Sequence, residues 1–282
     1  MNGTFMHILK SIAALSSVIS AVVATPVLAQ DQKQDFDGFY VGGSFGFSAQ
    51  PNDRGEFVVF DTNRDGAFDD TVRTTLGADA FSTGFCHGKN VGRSAGEGCT
   101  SDKDNVEYAI RAGVDKQYGN MVVGFLVEGS KSKARDFVTA FSTTPAAYSF
   151  SRELDYAVSA RGRVGYTPGG VLFYATGGAS YGRIKNGFTT TNPLNSFANN
   201  GDSYSFGYQA GGGAEAKITK NITLGLEYLY SSYKDDDFVV NVGPGTAPAT
   251  NPFLIRSGGT NMRRSDSDFN THNIRLTTTF RF

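Results

Sequence analysis

Residues 106–130 read VEYAIRAGVDKQYGNMVVGFLVEGS, and this stretch decides the fold. Val106, Tyr108, Ile110, Ala112 and Val114 share one parity, while Glu107, Arg111, Asp115 and Gln117 share the other. Side chains of a strand alternate between its two faces, so this segment is a strand with one apolar and one charged face. Tyr118, Gly119 and Asn120 supply the chemistry of a turn. Alternation then resumes at 121–130, with Val123, Phe125 and Val127 against Gly124, Glu128 and Ser130, and only Leu126 breaking the polar side. Two strands of about ten residues joined by a tight turn is how a membrane-spanning β-hairpin reads.

The same alternation recurs along the chain. At 38–48, Phe39, Val41, Phe45 and Phe47 oppose Tyr40, Gly42, Ser44, Gly46 and Ser48. Further strands follow at 154–166, 171–183, 204–218, from 222, and at 272–282, where Ile274, Leu276, Phe280 and Phe282 face one way. Eight strands result. Their connections are short at 118–120, 167–170 and 219–221, and long at about 49–105, 131–153, 184–203 and 234–271. A transmembrane barrel has short periplasmic turns and longer extracellular loops, whereas a soluble sandwich has no reason to sort its connections. The expected fold is all-β: an eight-stranded antiparallel transmembrane β-barrel with both ends of the chain on the short-turn side.

Charge placement argues for the same closure. Glu107, Arg111, Asp115, Glu128, Asp155, Arg161, Arg163, Glu215, Lys217, Glu227, Arg275 and Arg281 all fall on the polar parity. Against lipid, a single Arg or Lys near mid-membrane would cost about 2–4 kcal/mol. Inside a closed barrel, acids and bases pair. Eight strands enclose only as much space as side chains fill. The expected lumen is therefore an ion-pair network rather than a wide channel, which argues against a general diffusion porin.

Composition agrees: 23 Phe, 13 Tyr and 35 Gly suit strands and turns, and the net charge of −1 marks no nucleic-acid binder. The first 29 residues differ in kind. Lys10 precedes an apolar run at 12–23, and Pro26 leads into Val27, Leu28 and Ala29. That is a cleaved export signal, with a mature chain from Gln30, and it is too short and too soon followed by polar residues for an anchoring helix. The domain reading is signal peptide at 1–29 and barrel at 30–282.

Five stretches in order carry a resemblance: DGFYVGGSFGFS, YAIRAGVDKQYGNMVVGFLVEGS, VSARGRVGYTPGGVLFYATGGASYG, GYQAGGGAEAKITKNITLGLEYLYSSY and IRLTTTFRF. The series resembles the small outer-membrane β-barrel proteins of Gram-negative bacteria, porin-like and OmpA-type, particularly the surface-antigen barrels of α-proteobacteria. The resemblance implies an outer-membrane protein in contact with lipid and lipopolysaccharide, a monomer, inserted by the barrel-assembly machinery. That machinery would read the terminal aromatics Phe280 and Phe282. The first loop, at about 49–105, is long for this family, so the resemblance says little of its role.

Few residues point to chemistry. Cys86 and Cys99, both in the exported part, predict one disulfide closing a small Gly-rich loop. Asp61, Asn63, Asp65 and Asp69 match the first half of a calcium loop, with Gly66 at the turn. The twelfth position falls on Val72, so the closing Glu is missing, and a plain acidic surface loop is the other reading. No other cofactor is indicated. His272, near Thr271 and Ser267, is the one site where a Ser-His-acid arrangement has room, but nothing specifies it, and the chain is read as no enzyme. Arg263 and Arg264 are placed to meet lipopolysaccharide phosphates. Three functions remain in order: a structural and loop-presenting barrel plugged by ion pairs, a narrow channel for ions or small solutes, and an adhesin or receptor acting through the loops.

Overall fold

The computed structural model describes residues 36–50 and 55–282. The export signal expected at 1–29 lies outside them. The chain runs through β1 (Gly38–Ala49), β2 (Val58–Asp61), β3 (Phe85–Cys86), β4 (Lys89–Asn90) and β5 (Cys99–Thr100), with one 3-10 turn at Ala95–Glu97. Next come β6 (Asn105–Tyr118), β7 (Met121–Ser132), β8 (Arg135–Ser142), β9 (Ala146–Tyr166) and β10 (Val171–Thr190). The chain ends with β11 (Ser196–Asn199), β12 (Ser203–Lys217), β13 (Ile222–Lys234), β14 (Val240–Gly243), β15 (Thr260–Arg264) and β16 (Asp268–Arg281).

Eight of these strands form the barrel. Each of β1, β6, β7, β9, β10, β12, β13 and β16 pairs antiparallel with its neighbour, and β16 pairs back onto β1 from Tyr40↔Arg281 to Ala49↔His272. The closed ring leaves no edge strand to the bilayer, the condition that β-structure must meet in lipid. Phe39, Phe45, Ile110, Val123, Phe125, Val158, Phe173 and Leu276 are exposed on the outside, and together with their neighbours they make an apolar belt. One end of the ring is closed by tight turns, where Gly119 and Gly169 take φ of 62° and 64°, values that favour glycine. Gly113 is needed for a different reason: a Cβ there would stand 2.5 Å from the Tyr40 ring, which fills the lumen opposite it.

At the other end the connections are themselves folded. β8 pairs with the first residues of β9, and β9 in turn pairs with β10 as far as Thr190, so the barrel wall continues beyond the ring. β11, β14, β15 and β2 form a separate four-stranded antiparallel sheet drawn from three different connections. Between them lies an apolar core that includes Val58, Phe60, Phe81, Val138, Tyr148, Phe150, Val240, Phe253 and Met262. Tyr148 meets Phe253 edge-on at 5.5 Å and Phe81 at 5.4 Å. Loops of a membrane barrel thus bury their own hydrophobic core, a cap on the ring.

Candidate functional site

The inner face of the ring holds two layers of charge. In the central layer Glu227 stands directly across from Arg275, and Arg111 directly across from Glu128. Arg275 Nη2 lies 2.5 Å from Glu227 and 2.8 Å from Glu128, and its Nη1 lies 3.1 Å from Glu107. Arg111 reaches Glu128 at 2.6 Å and Glu227 at 3.1 Å, and Arg161 reaches Glu128 at 3.0 Å and Glu227 at 3.5 Å. The Tyr174 hydroxyl donates to Glu227 at 2.7 Å. Three guanidiniums thus face three carboxylates in a space closed to solvent, and their formal charges cancel.

Nearer the turns, Arg163 pairs with Asp115 and with Glu215 at 2.9 Å, and Arg281 reaches Asp115 at 2.8 Å and Glu215 at 3.4 Å. The Tyr40 ring lies between the two guanidiniums, 4.9 Å from Arg163 and 4.8 Å from Arg281. This layer is also neutral. Below it Phe36, Val122, Leu172 and Tyr174 make an apolar cluster. Lys217 stands there with its ammonium 5.5 Å from the Phe36 ring. Toward the cap, Leu154, Ala157, Ile184, Tyr233 and Phe269 make another apolar cluster.

Asp155 departs from the other carboxylates of its parity. The β9–β10 register shifts between Arg183 and Ile184, so Asp155 has no partner residue across the ladder. Its carboxylate instead meets Lys131 at 2.7 Å, Lys185 at 3.1 Å and Arg183 at 3.6 Å, all at the cap end of the wall. Grouping it with the lumen by simple alternation is corrected by that bulge.

A third ionic cluster joins the ring to the cap. Arg264 donates to both oxygens of Glu56 at 2.6 Å and to Asp136 at 2.7 Å. Arg152, fully buried, donates to Asp136 at 2.6 Å and to the carbonyls of Asp266 and Asp268. Burial pushes the Asp136 carboxyl up, but Arg264 and Arg152 outweigh it and hold it below its ordinary range. For Glu56 burial wins over Arg264, and its carboxyl is raised. Asp102, half-buried beside them, accepts from the Phe137 amide at 2.8 Å. Burial, reinforced by Asp136, pushes Asp102 up to about 8.

The calcium-loop residues lie at the end of β2. Both oxygens of Asp61 accept hydrogen bonds, from the amides of Asp65 and Gly66 and from Asn261 Nδ2. Asp65 accepts from the Asn63 amide nitrogen Nδ2 and the Ala67 backbone. Asp69 is exposed. These oxygens close their own turn, and no group of three or more His, Cys, Asp or Glu is placed to hold a metal among the described residues. Cys86 and Cys99 form a disulfide with Cα atoms 6.4 Å apart. His272 sits beside the Tyr230 ring at 5.2 Å, with Nδ1 2.6 Å from the Tyr228 hydroxyl. Phe280 and Phe282 both face outward, their rings edge to face at 5.2 Å. Arg263 covers the Phe68 ring at 4.3 Å, whereas Arg264 is buried in the cluster above.

An apolar exterior on a closed eight-stranded ring, with its charges turned inward, is the design of a bilayer-spanning barrel. Residues 12–282 match the outer membrane protein beta-barrel domain. The chain belongs to that family. It is an outer-membrane protein, and its relatives come from α-proteobacteria. It is 25% identical over 236 residues to the 31 kDa outer-membrane immunogenic protein of Brucella melitensis, covering 79% of this chain and 85% of that one. With the 22 kDa outer membrane protein of Rhizobium leguminosarum it shares 38% identity over 85 residues, which are 30% of this chain and 36% of the relative. Among solved structures it resembles OprG from Pseudomonas aeruginosa at a TM-score of 0.45 and 9% identity, over 87% of this chain and 97% of that one.

Two features of this barrel family member are not singled out by its sequence. The parity of Tyr174 puts it on the inner face of its strand, but only the structure shows its hydroxyl donating to Glu227. The Glu56–Arg264–Asp136–Arg152 cluster leaves no periodic trace, because it gathers residues from three separate connections.

Proposed function

We propose that this barrel is a closed outer-membrane scaffold, contributing to envelope integrity and holding a folded cap toward the outside. The observation that carries this is the central lumen layer, where Arg111, Arg161 and Arg275 meet Glu107, Glu128 and Glu227 with all six buried. An ion moving along the axis would have to part charges that lie in contact away from water, and removing one partner of such a set costs about 3–5 kcal/mol. The apolar clusters on either side add two stretches without charge. Purified protein in planar bilayers is expected to be electrically silent. A steady open level would overturn the reading.

A narrow channel is the second reading, and one observation favours it. Between the central layer and the cap, Ser48 Oγ, Gln209 Oε1 and Asn273 Oδ1 are buried with no protein partner. Buried polar atoms of that kind are commonly met by water. The same bilayer recording separates the two readings.

The surface role is read from the cap. The Brucella relative is described as immunogenic, and a cap with its own core presents fixed rather than fluctuating shapes to the exterior. Lys131, Arg183 and Lys185 around Asp155 suit the phosphates of lipopolysaccharide at the outer rim. Phe280 and Phe282 suit recognition by the assembly machinery as an exposed aromatic end. Deleting cap segments should abolish any cell or ligand attachment while the barrel still folds.

A further inference from the structure

The outer face of the wall carries a ladder of charge where β7, β9 and β10 leave the apolar belt. Lys131, Lys133 and Arg135 alternate outward along β7 and into β8, and Arg183 and Lys185 do so on β10. Between them stand Asp155 and Glu153 of β9, and Asp202 takes Arg183 from the other side. These five cations exceed the three carboxylates by two. Lys131 and Lys185 share the single carboxylate of Asp155, and both side chains stay partly exposed. The ladder begins at a rung of tyrosines: Tyr108 stands across from Lys131, and Tyr156 and Tyr204 across from Arg183, all three exposed. Tyrosine marks the boundary between acyl chains and headgroups. The surplus charge therefore lies at headgroup height.

Toward the turns from that rung, the same face holds glycines that nothing in the protein requires. Gly162 of β9 and Gly177 of β10 stand side by side, both outside the left-handed region of φ. A Cβ would meet nothing nearer than 4.0 Å at Gly162 and 3.5 Å at Gly177. A larger residue fits both places, and glycine in a strand costs about 0.5–1 kcal/mol relative to alanine. Around them, Ala160 lies across from Ala179, Gly177 across from Ala210, and Ala175 across from Gly212. Phe125 of β7 bounds this floor on one side and Tyr228 of β13 on the other. The result is a shallow trough in a belt of otherwise bulky side chains, three strands or roughly 14 Å wide at the spacing of a ladder.

We infer that this sector of the wall holds one molecule of lipid A, its phosphates on the ladder and its acyl chains in the trough. The inference rests on the reading of the rim as suited to lipopolysaccharide phosphates, and adds the place and shape of a single site. Two phosphates answer the surplus of two cations. Several acyl chains side by side answer the width of the trough, and small residues let them approach the backbone closely. A free phosphate would use only the ladder, and a phospholipid with one phosphate and two chains would use part of each.

The test takes the protein folded in a neutral detergent, titrates it with bisphosphorylated lipid A, and reads lipid retained per chain by native mass spectrometry. One retained lipid A per chain is expected. Lys131→Gln with Lys185→Gln should weaken it by about tenfold or more, the worth of a charged hydrogen bond. Lys234→Gln, a cation at the same end of β13, should leave it unchanged. Gly177→Leu fills the trough and should also weaken lipid A by about tenfold, while removal of the phosphates still weakens what binding remains. Retained heat-dependent gel mobility shows that the variants are folded; if the lysine pair is not, dephosphorylated lipid A on the unaltered protein decides. Equal retention of phosphatidylglycerol would overturn the inference, as would displacement of lipid A by about 10 mM inorganic phosphate, since weak free anions then suffice. Unchanged retention by Gly177→Leu would overturn it and leave the phosphate rim standing. Equal retention of dephosphorylated lipid A would remove both.

Discussion

Arg264 and Glu56 are 208 residues apart in the chain and meet through two parallel hydrogen bonds of 2.6 Å each, buried under the cap. Glu56 precedes β2 in the first long connection and Arg264 ends β15 in the last, so the pair ties the two connections that flank the β1–β16 closure. β2 and β15 also pair as strands from Asp61↔Asn261 to Val58↔Arg264. The ion pair therefore sits at the end of a short ladder and ties it to the ring below, through Asp136 of β8 and Arg152 of β9.

Arg264→Met tests that role. It leaves Glu56 with no cation and removes one of the two that hold Asp136, in a place where a stranded carboxylate costs about 3–5 kcal/mol. Proteases should then cut the cap connections far faster, while the folded ring keeps its compact gel mobility before boiling. Loss of that mobility would show that the cap is part of the ring's own stability rather than a layer separable from it.

The cap should loosen in alkali. Burial, with Asp136 beside it, raises the Asp102 carboxyl to about 8, from an ordinary value of 3.8. Where a folded-state carboxyl lies above its unfolded value, the folded form holds the extra proton, so stability falls as pH rises between the two values. Glu56, also raised, acts in the same direction, whereas the lowered Asp136 weakens the cap only in acid below its ordinary range. Relative to the base-catalysed intrinsic exchange rate, amides in the cap should be better protected at pH 6 than at pH 9, and Asp102→Asn should flatten that difference in protection. An equal slope in the variant would assign it elsewhere.

The Cys86–Cys99 disulfide closes a sequence separation of 13, a loop for which the entropic contribution is about 3 kcal/mol. It encloses β4, the 3-10 turn and the start of β5, none of which joins the ring. Replacing both cysteines by serine should expose residues 87–98 to cleavage and leave the ring's thermal transition unchanged. A drop in that transition would place the disulfide in the barrel's stability instead.

How much of this fold is legible in the sequence follows from the physics of alternation. Every ring strand announces itself, because one face meets lipid and the other a charged interior, and a period of two survives in the sequence. Leu172 and Leu126 break the pattern only because the lumen also has apolar places, Leu172 lying with Phe36 and Val122 in the cluster at the turns. Asp155 is misplaced by alternation because a bulge changes parity without changing spacing. The cap reads as four loops, since strands as short as Val240–Gly243 and Ser196–Asn199 are too brief to show a period, and their partners lie far away in sequence. Pairing among distant loops is a tertiary fact, and no local propensity records it.

Glu227 offers the sharpest test of the lumen. Its carboxylate takes Arg275 at 2.5 Å, Arg111 at 3.1 Å and Arg161 at 3.5 Å, together with the Tyr174 hydroxyl at 2.7 Å. Glu227→Gln keeps the volume and leaves one guanidinium charge in excess in a dry layer, a change of about 3–5 kcal/mol. The temperature at which boiling shifts the gel band should fall. The surplus positive charge should also admit anions, so brief anion-selective openings are expected in a bilayer where the unaltered protein is silent. The double variant Glu227→Gln, Arg275→Gln restores neutrality. If charge balance is what holds the layer, the pair should recover part of the lost stability and close the openings, because contacting residues couple in a double-mutant cycle. Additive losses in the double variant would show that packing of those side chains, rather than their charge, keeps the lumen shut.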